Sequence, residues 1–100
     1  MDKRQALGIA KKYAALVKEK MPFEKIVLFG SYAKGNFRKD SDIDIAVIVN
    51  NLDSDFFDTS AMLWTLCRQV DVNIEPILLD SSHDPSGFLE NILKYGKVIS

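Results

Sequence analysis

The sequence has little cysteine and no long apolar run, and each shortage excludes a class of protein. Cys67 is the only cysteine among the 100 residues, which excludes an internal disulfide and a cysteine-based metal site. It lies in an apolar helical pattern, which predicts a buried thiol. No stretch approaches the roughly 18 apolar residues of a membrane span. The polar start Asp2-Lys3-Arg4 lacks the apolar segment of a secretion signal. We therefore expect a cytoplasmic protein that does not enter a membrane.

The sequence also lacks a large net charge of either sign. The 13 basic and 14 acidic residues give a formal net charge of -1, whereas a nucleic-acid-binding domain is usually strongly basic. A nucleic-acid partner is therefore not expected. The hydrophobic content of 47% is that of an ordinary globular protein, and the length fits a single domain over residues 1–100.

The apolar periodicity predicts an α/β (α+β) fold, in which a small mixed sheet of three or four strands carries helices packed on one face. Helices are predicted over residues 2–20, 54–69 and 86–95. Their predicted N-caps are Asp2, then Asp53 or Ser54, then Asp84 followed by Pro85 at the first helical position. Strands are predicted over residues 25–29, 42–49, 70–79 and 98–99. Pro76 cannot donate a ladder hydrogen bond, which indicates a sheet edge or a bulge in the third strand.

Most of the reactive chemistry lies in residues 30–44, between the first two strands. The stretch reads Gly-Ser-Tyr-Ala-Lys-Gly-Asn-Phe-Arg-Lys-Asp-Ser-Asp-Ile-Asp. Asp42 and Asp44 leave the same face of a strand, about 6.6 Å apart along the chain. Their carboxylates can converge on one Mg²⁺ or on two ions about 3.5 to 4 Å apart. The sequence therefore predicts a metal site at the start of the second strand.

A third acid from a neighbouring strand would complete this site, and Asp71 and Glu75 are the candidates. They would lie about 13 Å apart along one strand, so both cannot serve the same metal pair. Asp71 sits in a Val-Asp-Val frame that repeats the Ile-Asp-Ile frame of Asp44, whereas Glu75 precedes a proline. We predict Asp71 as the third ligand and Glu75 as a residue of the rim or of a partner contact.

The same stretch predicts a phosphate site. Gly30 and Gly35 permit positive φ, which lets backbone amides approach a phosphate closely, and Ser31 adds a hydroxyl. Residues 31–35 can form one helical turn that Gly35 closes and whose N-terminus faces the anion. The cations best placed to reach outer phosphates are Lys34 and Arg38, with Lys39 a weaker choice.

Together these motifs resemble the minimal nucleotidyltransferase (MNT) branch of the DNA polymerase beta-like nucleotidyltransferase superfamily. Residues 30–35 are similar to its Gly-Ser motif, and Ser41-Asp42-Ile43-Asp44 is similar to its metal-binding motif. Val70-Asp71-Val72 looks like the strand that supplies its third carboxylate. Lys34 departs from the family, where arginine is common, so the charge is kept without the bidentate grip on phosphate. The resemblance implies a nucleotidyltransferase fold.

The resemblance also implies a reaction: transfer of a nucleoside monophosphate, usually AMP from ATP, to an acceptor hydroxyl, with release of pyrophosphate. Asp42 and Asp44 would hold two Mg²⁺ ions. Asp71 would bind the catalytic ion and is the candidate to accept the hydroxyl proton. Gly30 and Ser31 would bind the terminal phosphates.

For the acceptor, the resemblance points outside the chain. Similar proteins are antitoxins paired with a helical HEPN-type toxin, and they attach AMP to a tyrosine of that partner. The helix predicted over residues 54–69 is apolar beyond one stripe, with Phe57 and Trp64, which suits such a partner or a homodimer. Two other functions stay open: transfer to a small hydroxylated molecule such as an aminoglycoside, and non-catalytic binding of a toxin.

Overall fold

A four-stranded mixed sheet lies at the centre of the computed structural model, which describes residues 2–38, 41–52, 54–84 and 86–100. The strands are β1 Lys25–Phe29, β2 Ile43–Val49, β3 Ile74–Asp80 and β4 Lys97–Val98. The helices are α1 Lys3–Lys20, α2 Ser31–Lys34, α3 Phe56–Cys67 and α4 Phe88–Tyr95. The strand order is β3-β2-β1-β4, with β1 antiparallel to β2 and β4, and β2 parallel to β3. The predicted small mixed sheet is confirmed.

Helix α1 begins and ends where the sequence predicts. Asp2 accepts a hydrogen bond from the Gln5 amide at 2.8 Å, and the Gln5 side chain accepts one from the Asp2 amide at 3.0 Å. This reciprocal pair is a capping box, which satisfies two amides that have no partner inside the helix. At the other end, α1 stops before Pro22, because proline cannot continue a helix without losing a hydrogen bond.

The starts of α3 and α4 differ from the prediction. Asp55, and not Ser54, caps α3, by accepting a hydrogen bond from the Asp58 amide at 3.0 Å. Helix α4 begins at Phe88 after Gly87, two residues later than predicted, although the Asp84 carboxylate still accepts the Leu89 amide at 3.1 Å. The other cap candidate, Asp53, and the predicted first helical residue, Pro85, lie outside the described residues.

The two faces of the sheet carry separate apolar clusters. On one face, α1 and α3 cover the alternate β2 side chains from Ile43 to Val49, and the Tyr13 hydroxyl of α1 donates to the Leu63 carbonyl of α3 at 2.7 Å. On the other face, Ile92 of α4 packs with Val27, Ala46 and Ile48. The prediction that helices cover one face therefore holds for α1 and α3, and α4 covers part of the opposite face.

The third strand begins four residues later than predicted. Residues 70–73 form a turn, in which the amides of Val70 and Asp71 both donate to the Cys67 carbonyl, at 3.1 and 2.9 Å. The Asp71 side chain accepts the Asn73 amide at 2.8 Å, a local bond that favours a turn over a strand. Val72 is consequently 84% exposed. Apolar and polar residues alternate over residues 70–73 as they do in a strand, but the segment forms a turn.

Pro76 lies in β3, which is an edge strand. Its missing amide donor is tolerated there because one side of an edge strand has no ladder partner. The predicted edge position is confirmed. Within the described ranges, every helix is too short or too polar to cross a lipid bilayer.

Candidate active site

The turn after β1 holds a glycine in direct contact with an acid of β2. Gly30 has φ 75° and ψ -150°, a backbone region that is essentially restricted to glycine. A Cβ atom at this position would overlap Oδ2 of Asp44. Gly35, with φ 83°, closes the single turn of α2 in the left-handed conformation. The sequence predicts this turn correctly, and the structure adds that Gly30 makes room for the Asp44 carboxylate.

Three acids, Asp42, Asp44 and Glu75, lie on one face of the sheet, at the starts of the parallel strands β2 and β3. Asp42 directly precedes β2, Asp44 is its second residue, and Asp44 is in register with Glu75 of β3. The Ile43 amide donates to the Asn73 carbonyl at 2.8 Å, which fixes that register at its first rung. Side chains in register on neighbouring strands lie on one face of the sheet.

The pKa of Asp44 shows how unfavourable this crowding is. Burial raises its pKa most, and the negative charges of Glu75 and Asp42 raise it further, to about 6. A hydrogen bond with Glu75 also favours the protonated form of Asp44. Neighbouring carboxylates disfavour ionisation of one another unless a positive charge intervenes. The site therefore has an excess of negative charge.

Asp71 lies outside the sheet, in the turn before β3. The prediction that it occupies the third strand in a frame like that of Asp44 is wrong, because β3 starts at Ile74. Its carboxylate accepts the Asn73 amide in the preceding turn. Glu75, predicted as a rim residue, is the acid in register with Asp44. A visible signal existed in the sequence, since an apolar run follows Glu75, Ile77-Leu78-Leu79, as the apolar run Ile45-Ala46-Val47 follows Asp44.

The candidate phosphate ligands lie on the turn and on the loop that follows it. Ser31 begins α2 directly after Gly30, and its carbonyl accepts the Gly35 amide at 2.9 Å. Lys34 is exposed at the end of α2. Arg38 is also exposed, and its amide donates to the Ser41 hydroxyl at 2.7 Å. Lys39 and Asp40 lie outside the described residues.

The donor atoms of the three acids fit a hard divalent cation. Mg²⁺ prefers carboxylate oxygens and keeps several water ligands, so it needs only one or two carboxylates per ion. In the part of the chain that the structure describes, no three His, Cys, Asp or Glu side chains are placed to hold one metal ion, so each ion would take at most two of these acids. The fit therefore depends on the donor chemistry and on the excess negative charge at Asp44.

A cleft of about 460 Å³ lies at the C-terminal end of β2, beside Val49 and the α1–β1 connection. None of the predicted site residues lines it. The acids, the Gly30 turn and Lys34 are thus all separated from this cleft by the length of the strand.

Comparison with known proteins gives matches along nearly the whole chain. The sequence profile described as Polymerase beta, Nucleotidyltransferase matches residues 11–100. A candidate protein adenylyltransferase of Methanocaldococcus jannaschii is 36% identical over 78 residues, which make up 76% of this chain and 77% of that protein.

Two crystal structures resemble the fold. That of a candidate nucleotidyltransferase from Sulfolobus solfataricus superposes with a TM-score of 0.72 at 26% identity, covering 96% of this chain and 80% of the other. That of a toxin-antitoxin with AMP-PNP gives a TM-score of 0.68 at 26% identity, covering 90% of this chain and 72% of the other.

Proposed function

Because the chain belongs to the polymerase beta nucleotidyltransferase family, we propose that it transfers AMP from ATP to an acceptor hydroxyl and releases pyrophosphate. The observation that carries this proposal is the position of Asp42, Asp44 and Glu75 on one face of the sheet, beside the Gly30 turn. A phosphate held at the turn would lie next to the acids, since Gly30 contacts Asp44.

In this proposal Asp42, Asp44 and Glu75 would hold two Mg²⁺ ions. When bound, Mg²⁺ supplies positive charge that stabilises the phosphate oxygens during an in-line displacement. Glu75 takes the place that the sequence assigned to Asp71, and it is the candidate to accept the proton of the acceptor hydroxyl. Asp44 is half-buried and lies against Gly30, and this contact would fix the position of its carboxylate.

The turn would hold the outer phosphates. Gly30 has no side chain to keep a phosphate away from the backbone at the start of α2. The Ser31 hydroxyl adds a donor. Lys34 and Arg38 would neutralise the charge of the pyrophosphate leaving group, with Lys34 acting as a point charge.

We propose a protein as the acceptor, specifically a tyrosine hydroxyl of a helical HEPN-type toxin. The similar proteins support this choice, because one is a candidate protein adenylyltransferase and another is part of a toxin-antitoxin. Helix α3 supplies a suitable surface: Phe56 is 45% exposed, Phe57 80% and Trp64 45%. Exposed aromatic side chains grouped on one helix often mark a protein interface.

Incubation with ATP labelled on the α-phosphate, Mg²⁺ and the protein encoded by the adjacent reading frame tests the proposal. We expect label on that protein, its loss in Asp42→Asn and Asp44→Asn, and its loss when EDTA removes the metal. Glu19→Gln is the matched control, because Glu19 is an exposed acid of α1 that belongs neither to the acidic site nor to α3. Label that persists in the Asp44 variant, or that needs no metal, would contradict the proposal.

The exposed aromatic residues of α3 also favour a second candidate function, neutralisation of a toxin by binding alone. In that case Asp44→Asn would neutralise as well as the native chain does, whereas replacing Phe57 and Trp64 by serine would abolish neutralisation. If the chain acts by nucleotidyl transfer, Asp44→Asn and the replacement of Phe57 and Trp64 both reduce neutralisation. Only Asp44→Asn then leaves the complex with the toxin intact.

A further inference from the structure

A small cavity lies beside the proposed phosphate site, between the Gly30 turn and α4. Its volume is about 220 Å³. The turn contributes Gly30 and Lys34 to the lining, and α4 contributes Phe88, Asn91 and Tyr95. Because Gly30 contacts Asp44, a nucleotide whose α-phosphate lies at the acids can extend its ribose and base toward this cavity.

One face of α4 supplies the cavity with two rings and an amide. Phe88, Asn91 and Tyr95 are at positions i, i+3 and i+7, which share a helix face. Phe88 is 39% exposed and Tyr95 53%. The Lys94 ammonium lies over the Tyr95 ring, 5.3 Å from its centroid, which leaves the rest of the exposed ring for a further contact. The Phe88 ring is held edge-on by Phe29, with 6.2 Å between centroids. The Asn91 side chain is exposed and makes no hydrogen bond with any other described residue.

The size and lining of the cavity favour a flat, polar-edged ring. Pockets for whole ligands measure about 300 to 1,000 Å³, so 220 Å³ suits one ring system better than a whole nucleotide. Among the described residues that line it, Lys34, which we assign to the outer phosphates, is the one cation, so the rest of the lining offers a phosphate group no positive charge. Bases stack on aromatic side chains, and an asparagine amide pairs with the donor and acceptor on the edge of adenine.

We propose that this cavity seats the nucleobase of the donor nucleotide, with Tyr95 and Phe88 as stacking walls and Asn91 as the residue that selects adenine. The inference rests on the proposed function, since it requires a nucleoside triphosphate at the Gly30 turn. Guanine presents two acceptors where adenine presents an acceptor and a donor. The Asn91 amide cannot satisfy both bases equally, so it prefers ATP over GTP.

Calorimetric titration of the full chain in Mg²⁺ with ATP, GTP and inorganic tripolyphosphate tests this assignment. We expect ATP to bind about tenfold to a hundredfold more tightly than tripolyphosphate, and about tenfold more tightly than GTP. Tyr95→Ala should lower the affinity for ATP about tenfold and leave that for tripolyphosphate unchanged. Asn91→Leu should remove the preference for ATP over GTP. Glu90→Gln, an exposed change on α4 away from the cavity, is the control.

The outcomes separate this inference from the proposed function. Equal affinities for ATP and tripolyphosphate in the native chain would overturn the nucleobase assignment and leave the phosphate site standing. Unchanged ATP affinity in Tyr95→Ala, accompanied by a higher KM for the acceptor, would show that the cavity holds the acceptor and would also overturn it. Failure of both triphosphates and tripolyphosphate to bind would overturn the proposed function and the nucleobase assignment together.

Discussion

Two aspartates at opposite ends of the same pair of parallel strands have opposite environments. Asp44, at the start of β2, lies beside Asp42 and Glu75, and its pKa rises to about 6. Asp80, at the end of β3, accepts hydrogen bonds from the amides of Asn51, Leu52 and Ser82 and from the Ser82 hydroxyl, and these bonds hold its pKa well below the usual range.

This contrast separates Asp80, a carboxylate that stabilises the fold, from Asp44, a carboxylate that we propose to be functional. Asp80 stabilises the fold by joining the end of β3 to the loop after β2. Asp44 is kept among other acids, which is unfavourable for an isolated chain, and strongly perturbed carboxyl groups of this kind are typical of functional sites. We propose that a bound cation supplies the positive charge that relieves Asp44.

The largest expected effect separates these two residues. Asp44→Asn should lower nucleotidyl transfer by at least about a thousandfold, because the metal stabilisation it supports is worth several kcal/mol. Asp80→Asn should keep transfer within about twofold when assayed below its melting temperature. Rates of label transfer under saturating ATP measure both. Equal losses in the two variants would remove the distinction.

The next comparison concerns the third acid. Glu75→Gln should reduce transfer about a hundredfold or more, the usual size of a proton-transfer or metal-ligand contribution. Asp71→Asn should have little effect on transfer, because Asp71 bonds the Asn73 amide in a turn. The same label-transfer assay ranks the two, and a larger loss in the Asp71 variant would restore the assignment made from the sequence.

A third comparison uses two glycines with positive φ. Gly30→Ala should lower transfer about a hundredfold, because the new methyl group displaces the Asp44 carboxylate, and misplacement by about 1 Å can cost that much. Gly35→Ala meets no atom within 4 Å, so it should cost only about 1 kcal/mol of stability. Thermal unfolding and transfer rates, measured on both variants, distinguish a site effect from a backbone effect.

The smallest effect is on stability, and it depends on pH. Since the folded chain depresses the pKa of Asp80, its stabilisation is complete above the unfolded pKa of about 3.9 and is lost as the pH falls through the folded value. Asp80→Asn should therefore melt below the native chain at pH 7, with the gap narrowing below about pH 4. Thermal melts over this range measure the gap, and a gap that widens on acidification would contradict the structural role.

Much of this architecture can be predicted from local sequence. The cap at Asp2, the Gly30 and Gly35 turns and the alternation of β2 all follow from short-range rules of capping, backbone geometry and side-chain period. The third strand could not be placed in this way, because residues 70–73 alternate like a strand while the Asp71 side chain closes a turn. The partner of Asp44 depends on the register between β2 and β3, and local pattern does not determine which rung of a parallel ladder faces which.

The contact surface of α4 was also beyond local pattern. Its periodicity predicts a helix. Packing on the second face of the sheet then determines which strands Ile92 contacts, and hence where Asn91 and Tyr95 lie. The acids and the cavity share that face, so the donor half of the proposed site is assembled by β1, β2, β3, α2 and α4 together.

We propose that the acidic face around Asp44 requires a divalent cation before it can accept a nucleotide. Calorimetric titration of ATP into the native chain and into Asp44→Asn, with and without Mg²⁺, addresses it without any acceptor. We expect Mg²⁺ to strengthen ATP binding to the native chain strongly and to have little effect on the variant. ATP affinity that is independent of Mg²⁺ in the native chain, or that responds to Mg²⁺ equally in both proteins, would contradict the claim.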